Sequence, residues 1–130
     1  MHDSQPPDVR ARELLSRVLP DAQWTEFAKT DSFEVSGSRG IYQMSSGGTT
    51  RVLDLRTRQL RATACLQLTV PAPAADRLIA EYLLVANDEN LYWRTANVFP
   101  TSIDNRSFAL FMLLVLDLFL FAVLMARLIH

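Results

Sequence analysis

The side chains that most often do chemistry are sparse in this chain and stand apart. His2 and His130 are the only imidazoles, one near each end, and the single thiol, Cys65, has no internal histidine to take its proton. One cysteine also leaves no internal disulfide and no multi-cysteine zinc site. The acidic residues nowhere fall at the spacing of an all-carboxylate metal site. Gly37-Ser38-Arg39-Gly40 and Gly47-Gly48 lack both the Gly-Lys-Ser/Thr ending of a P-loop and the spacing of a dinucleotide fingerprint, so they read as turns. The sequence therefore predicts no catalytic set, no metal, no cofactor and no small-molecule substrate. A formal net charge of −1 gives no electrostatic case for nucleic acid.

Two polar features point to another kind of chemistry. Asp117 is the one polar residue in the run from Phe108 to Ala126. At about 1.5 Å per residue, a helix over that run spans the hydrocarbon thickness of a bilayer. A carboxylate at its centre costs about 2.5–3.5 kcal/mol on insertion scales, which the apolar neighbours offset. Residues 108–129 are thus expected to form a transmembrane helix, flanked by Arg106 and Ser107 before it and Arg127 and His130 after it. Asp117 either meets a donor on another helix or is tolerated alone. Ala122 and Ala126 make a small-xxx-small pair that permits close helix approach. At about 100° per residue they lie roughly 140° and 180° around the helix from Asp117, so Asp117, Ala122 and Ala126 define two opposed helix-contact faces. The second feature is a basic cluster, Arg51, Arg56, Arg58 and Arg61, with Asp54 the only acid among them. It is a candidate surface for anionic lipid head groups or an acidic partner; the plainer reading is a solvated turn face.

The elements that must position these groups follow from the hydropathy period. Residues 1–7 are a polar lead-in without an apolar signal-peptide core. Asp8 is expected to cap a helix over 9–19, which Pro20 ends, and Asp21 a short turn carrying Trp24 and Phe27. From Phe33 the period becomes two. Strands are expected at 33–36, 41–44, 49–55 and 60–70, the last with Leu60, Ala62, Ala64, Leu66, Leu68 and Val70 on its apolar face. Helical spacing returns over 74–87, with Leu78, Ile79, Tyr82, Leu83 and Ala86 on the stripe and Asp76, Arg77 and Glu81 off it. Asp88 then caps a helical piece to about Asn97. Tyr92 and Trp93 belong either to the core or to the head-group level of a membrane. The expected fold is α+β: an antiparallel meander of three to four strands flanked by helices in a soluble domain over 8–100, a linker at 101–107, and one C-terminal transmembrane helix.

Phe33, Val35, Gly37-Ser38, Gly40, Tyr42, Cys65, Pro71, Asp76, Ala80 and Ala96-Asn97 give residues 33–97 a pattern that resembles small bacterial α+β domains of unassigned function. The resemblance implies a prokaryotic domain and carries no binding or catalytic residue with it.

Two functions are compatible with this reading. The first is a non-catalytic accessory or structural subunit of a larger integral membrane complex, respiratory or photosynthetic, whose partners are other transmembrane subunits and lipids. The second is a tail-anchored binding module that recruits a soluble partner through the polar face of strand 60–70. In both, the N-terminal domain is expected on the cytoplasmic side of a bacterial inner membrane, because Arg94 and Arg106 precede the span and Arg127 follows it.

Overall fold

The computed structural model describes residues 5–101 and 105–128, with side chains of the final helix described from 109 to 127. The expectations placed on His2, Ile129 and His130, on positions 102–104 of the linker, and on the side chains of Arg106, Ser107 and Phe108 lie outside the described residues.

Proline starts the helices here. Helix α1 (Pro7–Val18) follows Pro6, α2 (Asp21–Thr30) follows Pro20, and α3 (Ala74–Asn87) follows Pro73. Each proline sits at the N-cap with extended ψ and offers no side-chain cap. Asp8 and Asp21 are therefore not the caps the sequence suggests. They lie inside the first turn, as Asp76 does in α3, where a carboxylate favours the positive end of the helix dipole. Helix α4 (Glu89–Thr95) does have the expected cap: Asp88 accepts the Leu91 N–H at 2.9 Å. Helix α2 ends at Asp31, which takes the left-handed conformation usually left to glycine.

Five strands, one more than the upper count expected, form a single antiparallel sheet in chain order: β1 (Ser32–Ser36), β2 (Ile41–Ser45), β3 (Thr50–Leu53), β4 (Leu60–Cys65) and β5 (Asn97–Pro100). The class is α+β, as the sequence implies. Helices α3 and α4 are inserted between β4 and β5, so the edge strand β5 pairs with β4 from a distance in sequence. The sequence reading places Asn97 at a helix end and misses this strand. Pro100 is tolerated there because a sheet edge needs no outward N–H.

Strand β4 stops at Cys65 instead of reaching Val70. Its partner β3 begins at Thr50, opposite Ala64, and residues before Thr50 are already in a turn, so the ladder runs out. Leu66 is still buried, but Leu68 and Val70 are exposed and Gln67 and Thr69 lie on no strand. The polar strand face proposed as a recruiting surface is shorter than expected.

One face of the sheet carries the core. Phe33, Val35, Tyr42, Met44, Val52, Ala62 and Ala64 pack beneath Leu15, Phe27, Leu78, Val85 and Tyr92 from the helices. Phe27 meets Phe33 edge-on with ring centroids 6.0 Å apart, and Tyr42 meets Tyr92 likewise at 5.6 Å. On α3 the buried face is Leu78, Glu81 and Val85, while Leu83 and Ala86 are exposed, so the expected stripe is turned. Glu81 is fully buried because polar groups meet it there. It accepts from Arg77 at 2.8 Å, Thr50 at 2.9 Å and the Leu66 N–H at 3.3 Å, and Tyr92 lies at 3.5 Å. Burial pushes its carboxyl above the ordinary range, and Arg77 opposes that without cancelling it.

Helix α5 (Asn105–Leu128) begins inside the expected linker. Its stretch Ala109–Arg127 is long and apolar enough to cross a membrane, and none of it is buried against the domain.

Candidate functional site

A cleft of about 630 Å³ opens on the helical side of the sheet, at the end where β5 gives way to Thr101. That volume lies in the range of small-ligand sites. Val52, Ala62, Val98 and Pro100 supply apolar floor from β3, β4 and β5, and Trp93 of α4 forms a wall. Arg39, Arg56 and Arg61 line the mouth, against one acid, Asp54.

Each arginine is brought there by a local device. Arg61 has no residue opposite it: Val52 pairs with Ala62 and Leu53 with Leu60, so Arg61 is the extra residue of a β-bulge. Bulges re-aim side chains, and the Arg61 guanidinium donates to the Arg39 carbonyl at 3.1 Å. Arg56 rides on the β3–β4 turn. There Asp54 accepts the N–H groups of Arg56 and Thr57 at 2.9 Å each, which holds its carboxyl below the ordinary range. Among the described residues, the Arg56 side chain makes no hydrogen bond or ion pair.

Arg39 is set by an internal anion. The Glu89 carboxylate accepts the backbone N–H groups of Ser38 and Arg39 at 2.9 Å each, the Ser38 hydroxyl, and the Tyr42 hydroxyl. The Gly37–Gly40 stretch does cradle an anion, one carried by the chain itself. Burial works against the charge on Glu89, but the bonds from Ser38, Tyr42 and Arg39 outweigh it and hold the carboxyl below the usual range. Tyr42 is pushed up, first by burial and then by Glu89, so its hydroxyl stays a donor. It also accepts the Trp93 indole N–H at 2.6 Å. Gly37 and Gly40 are required by close approach: a Cβ on Gly37 would collide with Glu89 Oε1, and one on Gly40 would stand 2.7 Å from the Leu53 carbonyl. The guanidinium of Arg39 then lies 5.7 Å from the Trp93 ring centroid and donates to Asn90 at 2.6 Å.

The basic cluster read from the sequence is thereby divided. Arg56 and Arg61 go to the cleft. Arg51 and Arg58 go to a hydrogen-bonded chain on the other face of the sheet, where Arg51 donates to Gln43 at 3.2 Å, Gln43 to Glu34 at 2.7 Å, and Arg58 pairs with Glu34 at 2.6 Å. The bond from Arg58 keeps the Glu34 carboxyl low. Tyr92 is wholly buried and Trp93 half-buried, so both belong to the domain. Asp117, Ala122 and Ala126 are all exposed on α5. Arg39, Ser38 and Glu89 were missed by sequence reasoning. The one available signal was the pair of glycines bracketing Ser38-Arg39, which marks a tight approach without saying to what.

No family model, no curated protein and no solved structure matches the chain. The functional reading rests on the chain's own geometry.

Proposed function

We propose that the protein is a non-catalytic, single-pass membrane protein that serves as an accessory subunit of a larger integral membrane complex. The reading puts its α+β domain on the cytoplasmic side of a bacterial inner membrane, with a respiratory or photosynthetic assembly as the setting. The supporting observation is the exposed apolar helix Ala109–Arg127 with Asp117 near its midpoint. A helix that only tethers needs length and apolarity. A mid-bilayer carboxyl adds a cost of about 2.5–3.5 kcal/mol that a plain anchor avoids and that a donor on a neighbouring helix offsets. Purification of the full chain from its native membrane in mild detergent tests this. Co-migration with other transmembrane polypeptides is expected, and a lone monomer overturns the subunit role.

A further inference from the structure

The arginine-lined cleft is built for a ligand with an anionic head and an apolar body. Arg39, Arg56 and Arg61 converge on it, and each guanidinium has several N–H donors beyond the single bond recorded for Arg39 and for Arg61. Guanidinium groups bind phosphate through paired hydrogen bonds. A free phosphate would leave the solvent-facing Val98 and Pro100 uncovered, and a head group bearing its own cation would bring that charge toward three others.

The covalent chain says where such a ligand comes from. The Thr101 N–H is bonded to the Arg61 carbonyl at 3.0 Å, so the chain leaves the domain beside the cleft mouth. Four Cα–Cα steps separate Thr101 from Asn105, the first residue of α5, and span at most about 15 Å. Ala109, where the apolar span begins, is roughly 6 Å further along the helix. The cleft is therefore tethered within about 20 Å of the hydrocarbon boundary. Leu55, on the β3–β4 turn next to Arg56, lines the same cleft and is 47% exposed. Apolar side chains beside arginines suit the head-group layer.

We propose that this cleft binds the phosphate head group of an anionic membrane lipid, with Arg39, Arg56 and Arg61 on the phosphate and the apolar floor under the glycerol and proximal chain. The inference rests on the membrane reading of α5 and is independent of the subunit role.

The test uses the full chain in mild detergent with Trp24→Phe, which leaves Trp93 in the cleft wall as the only tryptophan. It is titrated with short-chain phosphatidylglycerol, with phosphatidylcholine of the same tails, and with inorganic phosphate. The expected result is a saturable change in Trp93 emission with phosphatidylglycerol, at a concentration about tenfold below any response to phosphatidylcholine. Arg56→Gln, at an exposed turn, weakens that binding about tenfold, while Arg10→Gln on α1 leaves it unchanged. Equal responses to the two lipids, or unchanged affinity in Arg56→Gln, overturn the proposal. Saturation by inorganic phosphate alone overturns the lipid source in favour of a soluble phosphate. A lone monomer on purification leaves this result standing, and selective lipid binding does not rescue the subunit role.

Discussion

Trp93 donates its indole N–H to the phenol oxygen of Tyr42 at 2.6 Å across 51 positions of sequence. Tyr42 donates its hydroxyl hydrogen bond to Glu89, and Glu89 holds the turn whose Arg39 guanidinium lies over the Trp93 ring. The relay closes on itself. One carboxylate thus fixes both the wall of the cleft and one of its cations.

Glu89→Gln keeps the size of the side chain but leaves it one carbonyl oxygen for several donors. Burial without a partner costs about 1–3 kcal/mol per group, and the variant should lose about that much stability in urea unfolding of the full chain in mild detergent. Trp93 emission should shift to the red in the folded state. Parent-like stability together with parent-like emission would show that the relay holds nothing.

The same carboxylate sets a pH dependence. Its folded-state value lies below the ordinary 4.5, so the unfolded chain binds more protons in the window between them. The stability it contributes is complete above about pH 4.5 and is lost as pH falls through the folded value. Glu34 and Asp54 act in the same sense. Glu81 acts oppositely: its value is raised, so stability falls as pH rises from 4.5 through its folded value. Urea midpoints measured as pH falls below about 4.5 should drop less steeply in Glu89→Gln than in the parent. An unchanged slope refutes the assignment.

Gly37→Ala and Gly40→Ala should each cost about 1–3 kcal/mol, since the new methyl meets Glu89 and Tyr42 in one case and the Leu53 carbonyl in the other. Gly40→Ala should be the worse, because backbone cannot swing aside. Gly47→Ala, whose Cβ would have Ser45 Oγ at 3.6 Å as nearest neighbour, should change stability by less than about 0.5 kcal/mol. Thermal midpoints of the three variants give the comparison.

Arg77 and Glu81 form a pair with 11% and 0% of their side chains exposed. Glu81→Leu leaves the Arg77 charge with only the Ser45 carbonyl as acceptor and should destabilise by about 3–5 kcal/mol. Adding Arg77→Met should recover part of the loss, with a coupling energy above about 1 kcal/mol in the double-mutant cycle. Simple additivity would mean that the pair contributes nothing as a pair.

On the proposed subunit role, Asp117→Leu should leave the chain in the carbonate-resistant membrane fraction but abolish its co-migration with other transmembrane polypeptides in mild detergent. Retention of the complex would reduce α5 to a tether, which a foreign transmembrane helix could then replace.

Elements written in one local run were legible in the sequence. Alternation over Phe33–Ser36, the glycines near 47, the stripe of α3 and the apolar run around Asp117 each announce their element from neighbours alone. What was hidden depends on residues far apart. Glu81 reads as a surface acid until Thr50, Tyr92 and the Leu66 N–H surround it. Strand β5 is four residues long and has meaning only beside β4. The cleft joins a turn near 39, a bulge at 61, a helix at 93 and a strand at 98, and no spacing rule connects them. The bulge itself has no marker, since the alternation through Arg61 reads as a regular strand.

Strand β5 has three duties at once: it is one of the two edges of the sheet, it lines the cleft through Val98 and Pro100, and it hands the chain toward α5. It is held on one side only, by β4. On the proposed membrane reading, a load on the helix would enter the domain through Thr101 and Pro100, at the same strand that lines the cleft. By reciprocity, the lipid proposed for the cleft would in turn stiffen the joint between the domain and that helix.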